Sequence, residues 1–378
     1  MIYFDSAATS YYRPESVALA VAEAVRNMGN SSRGFHDASL DASRTIYQVR
    51  EKLGSLFGCG PSQIAFASGV TESLNTVVCG LLRLGDHVVT TVLEHNSVLR
   101  PLYRMEQQGV DLSIAGCDAL GNVSVQSIEA LFRENTRAVV CTHASNLTGN
   151  LTDIREIGKA AHERGILMIV DGAQTAGIFP VDLSKDHVDI FCFTGHKSLL
   201  GPQGTGGMAV RRGLVIRPLK VGGSGIRTFD REQPEQMPEV LEAGTLNGHG
   251  IAGLGAGIDY IREQGMEKLK QKELYLAGRF YEGIRGIPGV LVYGDFTKKE
   301  RAPIVSLNIN NIPSGEVSRI LMEEYGICTR SGGHCAPLMH EAFGTRNQGM
   351  VRFSFSGFNT EMQTEQAAEA VKEIAGES

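Results

Sequence analysis

Two apolar runs constrain this chain more than anything else in it. Ile166-Leu167-Met168-Ile169-Val170 ends at Asp171, and Asp189-Ile190-Phe191-Cys192-Phe193-Thr194 leads into Gly195-His196-Lys197. Runs that are apolar at nearly every position suit strands buried on both faces, and so a parallel sheet covered by helices. Other segments repeat the pattern: Gln63–Ala67, His87–Leu93, Arg137–Thr142 and 206–211 read as strands. Between them Leu74, Val77, Val78 and Leu81 recur at helical spacing, Leu99–Gln108 stops at Gly109, and Asp153–Arg164 stops at Gly165. The expected fold is α/β, with a large domain at 16–258 whose mostly parallel sheet is flanked by helices. After about residue 260 the texture changes. Helical segments Met266–Ile284, Glu316–Tyr325 and Glu361–Ile374 alternate with short strands Gly289–Tyr293, Ile304–Ile309 and Met350–Phe355. A smaller α+β domain is expected from 1–15 and 259–378, and Val221–Pro238, rich in Gly and Pro, is expected to be irregular.

Bulk properties narrow the function classes. A formal charge of -6 over 378 residues gives no reason to expect nucleic acid or an anionic membrane as partner. No apolar run approaches the roughly 20 residues of a membrane span, and Met1-Ile2-Tyr3-Phe4-Asp5 lacks the basic start of a secretory signal. The seven cysteines are scattered singly, without a CxxC pair, so a cytoplasmic protein with reduced thiols is expected.

Ligands of open α/β sheets bind at the carboxyl ends of the strands, where Asp171 and Lys197 both fall. A lysine amine to bond an aldehyde and a carboxylate to keep a pyridine nitrogen protonated are what pyridoxal phosphate (PLP) requires. A strand-end lysine by itself is usually a solvated flank. Ser68-Gly69-Val70-Thr71-Glu72 joins a strand to a helix, and a helix start attracts phosphate. Simple capping by Ser68 or Thr71 accounts for the same residues. Thr194 and His196 could add phosphate donors. Gly204-Thr205-Gly206-Gly207-Met208-Ala209 fits GxGxxA, yet a loop precedes it and a strand follows, so a dinucleotide site is rejected.

His95, in Glu94-His95-Asn96-Ser97, could stack on a flat ring or be an ordinary loop histidine. Asn146, after the next strand, could bond a ring oxygen or a substrate carboxylate, and Gln174 could reach that oxygen. Thr329-Arg330-Ser331-Gly332-Gly333-His334-Cys335-Ala336 is polar and Gly-rich, and its cysteine is expected to be exposed, mobile and electropositive, which favours thiolate. Cys79, Cys141 and Cys192 lie in apolar patterns and read as core. A metal site at His334, Cys335 and His340 is not expected, because the paired spacing of zinc ligands is missing. Arg330 and Arg352 are candidates for a substrate carboxylate, which guanidinium grips with two prongs; each could instead form a surface salt bridge.

Assembled in order, these motifs resemble the class V aminotransferase superfamily of fold-type I PLP enzymes, and within it the cysteine desulfurase and selenocysteine lyase group. The resemblance runs from Tyr3-Phe4-Asp5-Ser6-Ala7-Ala8-Thr9-Ser10 through Arg33-Gly34-Phe35-His36, Gly69-Val70-Thr71-Glu72-Ser73-Leu74-Asn75 and Glu94-His95-Asn96-Ser97. It continues through Ser145-Asn146, Asp171-Gly172-Ala173-Gln174, Gly195-His196-Lys197 and Glu242-Ala243-Gly244-Thr245 to the 330–336 segment, which looks like the short-loop subgroup. The resemblance implies Lys197 as the PLP-bonding lysine and proton shuttle, Asp171 at the pyridinium, and His95 stacked on the ring. Gln174 would meet the phenolic oxygen; Val70, Thr71, Thr194 and His196 would hold phosphate. Thr245 would reach the PLP of a second subunit in a homodimer. Arg330, with Asn146, Arg352 and His36, would bind substrate, and Cys335 would be the nucleophile. The implied reaction turns L-cysteine into L-alanine and leaves the sulfur on Cys335 as a persulfide, with a sulfur-acceptor protein possible downstream. A selenocysteine lyase, or another PLP β-lyase or aminotransferase, is the alternative. The chain departs from the pattern at Gly333, where relatives usually carry histidine, at Val70, where threonine is more usual, and at Thr194, where serine is common. The change at Gly333 could favour L-selenocysteine.

Overall fold

The computed structural model describes residues 1–31 and 34–377; Arg33 lies outside the described residues. Seven strands form the large sheet, in the spatial order Ile64–Ala67, Gly206–Val210, Ile190–Thr194, Leu167–Asp171, Thr136–Thr142, His87–Thr91 and Asp111–Ala115. The five from Ile190–Thr194 to Asp111–Ala115 are parallel. Gly206–Val210 runs antiparallel to both its neighbours. Apolar clusters cover both faces, one built around Met168, Val170, Phe191 and Phe193, the other around Leu167, Ile169, Ile190 and Cys192. This two-sided burial is why these strands are apolar throughout.

The smaller unit holds an antiparallel sheet in the order Arg330–Gly332, Met350–Ser354, Ile304–Ile309 and Val290–Tyr293. Helices Met266–Ile284 and Glu361–Glu377 pack over it. Its core includes Phe4, because strand Ile2–Tyr3 pairs with Ile327–Cys328 and carries the N-terminus into this unit.

Most elements match expectation within a few residues, and 221–238 contains no helix or strand. The differences have physical causes. The helix expected from Leu99 begins at Asn96, because His95 caps it through Nδ1. Strand Asp111–Ala115 was not expected; it sits at the sheet edge, where a charged start is tolerated. Arg330–Gly332, expected as loop, pairs with Met350–Ser354 as an edge strand.

Helix Gly248–Gln264 was not anticipated either; glycines interrupt its apolar spacing. They are there for close packing: a Cβ on Gly257 would lie 2.5 Å from Leu199 O. Ile251, Leu254, Ile258 and Ile261 of this helix enter the apolar core on one face of the large sheet.

A buried ion pair ties the large sheet to the segment ending at Thr245. Arg50 Nη1 and Nη2 donate to Glu242 Oε1 and Oε2 at 2.8 and 2.6 Å, and Phe66 N also donates to Glu242 Oε1. Removing one partner leaves an uncompensated buried charge. Arg50→Ala should therefore cost about 3–5 kcal/mol in urea unfolding.

Candidate active site

Asp171 and Lys197 meet because their strands are parallel neighbours, with Asp171 opposite Cys192. Asp171 is buried at its strand end, where Oδ1 accepts Ala173 N at 2.9 Å. Burial pushes its carboxyl above the usual range, against the pull of the Ala173 N–H and of Lys197. Lys197 follows a turn closed by Gly195 N to Thr205 O (2.8 Å) and Leu200 N to Lys197 O (2.8 Å). Its amine makes no hydrogen bond among the described residues. Burial pushes that amine down to about 8; Arg352 and Arg330 act the same way, while Asp171 and Asp5 oppose. Three cations (Lys197, Arg330 and Arg352) thus face two carboxylates.

Helix Val70–Leu81 begins without a side-chain cap. Ser68 is instead paired with Glu72, and Thr71 Oγ1 lies 2.8 Å from Ser97 Oγ. Capping therefore does not account for Ser68 and Thr71, and the first backbone N–H groups, Val70 among them, are left open to an anion. Thr194 Oγ1 stands 3.5 Å from where a Cβ on Gly69 would be, so it borders this helix start. His196 Nδ1 lies 3.0 Å from Thr9 Oγ1, and burial pushes its ring down to about 4.

His95 Nδ1 accepts Ser97 N at 3.0 Å and lies 2.9 Å from Ser97 Oγ. Burial, then Lys197 and Arg330, push the ring down to about 4. The imidazole is therefore neutral near pH 7. With Nδ1 occupied as an acceptor, its proton sits on Nε2.

The small unit brings its residues to the same place. Asn146 Nδ2 donates to His334 O at 2.8 Å, while its Oδ1 is buried without a partner. Asn96 N donates to Cys335 O at 2.8 Å, and Ala336 N to Gly333 O at 2.9 Å. His334 Nε2 donates to Met350 O at 2.9 Å. Cys335 is exposed as expected, but it stands on a tight, hydrogen-bonded turn that follows the edge strand. Arg330 lies directly across the sheet from Arg352, and its guanidinium makes no hydrogen bond among the described residues. Arg352 is buried; Nη1 donates to Asn146 O and Nη2 to Asp5 Oδ1, both at 2.9 Å, and Nε has no partner. Gln174 Nε2 donates to Ala7 O at 3.2 Å.

Two expected residues stand apart. His36 and Thr245 are exposed, with no hydrogen bond to this group among the described residues; Thr245 lines a cleft of about 450 Å³ with Tyr47, Arg50 and Glu242. Sequence reasoning assigned no role to Ser97, Asp5 or Glu94. Glu94 is fully buried, accepts Thr91 Oγ1 at 2.6 Å and Thr142 N at 3.1 Å, and is pushed up to about 8 by burial. An acid directly after an apolar strand was the available signal.

Residues 2–366 match the family Aminotransferase class-V. The chain is 35% identical to a probable cysteine desulfurase of Methanothermobacter thermautotrophicus, over 99% of this chain and 95% of that protein. It is 30% identical to a cysteine desulfurase of Haloferax volcanii, over 98% and 88%. Its fold superposes on the apo structure of a cysteine desulfurase from Thermococcus onnurineus NA1 with a TM-score of 0.94 and 32% identity, covering 100% and 95% of the two chains. The chain belongs to the class-V aminotransferase family.

The Lys197 amine should titrate far below an exposed lysine. Reductive methylation of the cofactor-free protein, followed by mass spectrometry across pH, should give a midpoint near 8 at Lys197. Asp171→Asn removes an anion that favours the charged amine, so the midpoint should fall further.

Proposed function

We propose that this protein is a PLP-dependent cysteine desulfurase that converts L-cysteine to L-alanine and takes the sulfur onto Cys335. The observation that carries this reading is the placement of Cys335. It is the exposed cysteine of the seven, and its turn is bonded both to Asn96, beside His95, and to Asn146.

The donor set fits PLP. The uncapped helix start at Val70 and Thr71, with Thr194 and His196 nearby, suits a phosphate. The buried Asp171 carboxylate suits a ring nitrogen, and the neutral His95 ring offers a flat face. Gln174 has a second N–H for a ring oxygen. When bound, PLP supplies an aldehyde for an amine and a protonated ring that draws electrons from the substrate α-carbon.

The chain's own groups do the rest. Arg352 Nε and the free guanidinium of Arg330 receive the substrate carboxylate, close to Asn146. Lys197, with its amine held near 8, takes the α-proton and later returns a proton to carbon. The deprotonated Cys335 sulfur attacks the substrate sulfur. As the S–S bond forms, the carbon–sulfur bond breaks and its electron pair stays with carbon, which leaves as alanine once protonated. Cys335 keeps the sulfur as a persulfide, open to an acceptor protein or a small thiol.

The working unit in this reading is a homodimer. Phe35 and Phe229 are fully exposed and Val221 largely so, more apolar surface than an isolated chain is expected to leave bare around one set of clefts. A second copy over this face would account for His36 and Thr245, which stand apart from Lys197 within one chain. A reducing cytoplasm suits the exposed thiol; among the described residues no helix is long and apolar enough to cross a membrane.

The test is alanine release from L-cysteine and, separately, L-selenocysteine by the PLP-loaded protein. Alanine should appear from L-cysteine, and Cys335→Ala should cut that rate by about a hundredfold or more. Alanine from L-selenocysteine alone would make the protein a lyase for that substrate. None from either, with PLP bound, would overturn the proposal.

A further inference from the structure

Arg352 is unusual among the buried groups. Two of its three nitrogens are tied down, Nη1 by Asn146 O and Nη2 by Asp5, and the third, Nε, is buried without a partner. Arg330 stands directly opposite, with no carboxylate on it among the described residues. Like charges paired across two strands repel, and a dry N–H without an acceptor costs free energy. Both penalties disappear if one anion enters between the two guanidinium groups.

Asp5 is not that anion, because of the two arginines it pairs with Arg352 alone. It is held from both sides. Its backbone bridges to Ser354, Ser354 N donates to Phe4 O at 2.8 Å, and Ala7 N donates to Ser354 Oγ at 2.9 Å. Phe4 is sunk in the small-unit core. Further along the same segment, Ser10 N donates to His196 O and Ser10 Oγ to Lys197 O, each at 2.9 Å. One stretch of chain, Phe4 to Ser10, therefore connects the buried arginine to the lysine turn.

We propose that Asp5 is a positioning residue for the substrate carboxylate: it fixes the Arg352 guanidinium so that Nε–H stays free for that carboxylate, with Arg330 as the second, movable prong. This rests on reading the two arginines as the carboxylate grip of the proposed desulfurase. Asp5 touches no reacting atom and acts only through Arg352. It neutralises one of the two arginines, so the site keeps the charge for one carboxylate.

The test compares ligands with and without a carboxylate on the PLP-loaded protein. Dissociation constants for L-alanine and for cysteamine, which has an amine and a thiol but no carboxylate, are read from the cofactor absorbance. In Asp5→Asn the L-alanine constant and the KM for L-cysteine should rise about tenfold, the effect of weakening one charge-assisted hydrogen bond, with kcat within about twofold. Cysteamine binding should be unchanged, which also shows that the variant is folded. Equal weakening of both ligands, a fall in kcat at constant KM, or no change at all would each overturn the proposal. If the unmodified protein releases no alanine from L-cysteine, the desulfurase reading fails, while the two binding constants still decide the role of Asp5.

Discussion

Asp171 and Lys197 carry opposite charges in a place where neither charge is well solvated, and the fold is arranged around keeping them there. Burial drives the carboxylate up and the amine down, toward the neutral form of each, while their mutual attraction pulls the other way. That balance holds only if water stays out and the two strand ends stay level. The parallel register that sets Asp171 opposite Cys192, and the apolar layers on both faces of the sheet, meet those conditions. An antiparallel neighbour in that position would have sent Lys197 to the other end of the sheet.

The site is a seam between two units. The large sheet contributes Asp171, Lys197, His95 and Asn146; the small sheet contributes Arg330, Arg352 and Cys335. Three of the hydrogen bonds that join them lie at the site itself: Asn96 N to Cys335 O, Asn146 Nδ2 to His334 O, and Arg352 Nη1 to Asn146 O. The first joins two backbone groups, so the placement of the Cys335 turn beside His95 depends little on side-chain rotamers; the other two each join a side chain to a backbone carbonyl. Asn146 takes part in two of the three. That explains why a residue expected at the ring is buried with its amide turned toward the turn that carries Cys335.

Within the candidate site, the residues legible in the sequence are those whose signal is local. Lys197 and Asp171 end continuous apolar runs, and the helix start at Val70 follows a strand. Cys335 sits among glycines. What escaped it depends on contacts distant in sequence. Ser97 matters because Thr71, 26 residues earlier, reaches its hydroxyl. Asp5 matters because Arg352, 347 residues later, lies beside it. Helix Gly248–Gln264 was hidden for a related reason: its glycines meet the backbone at Leu199, a partner no local window contains. The edge strand Arg330–Gly332 has no hydrophobic alternation of its own and exists only through pairing with Met350–Ser354.

His334 and Cys335 have φ of 48° and 55°, the left-handed region in which side chains other than glycine are costly. Two such residues in a row disfavour the turn by about 1–2 kcal/mol each relative to glycine. A chain selected for stability alone would carry glycine at both positions, extending the Gly332-Gly333 already there. Any redesign of this backbone that ranks residues by stability would therefore discard the Cys335 sulfur, the proposed nucleophile, first. Consensus or computational stabilisation of this protein should hold residue 335 fixed and seek its gains elsewhere.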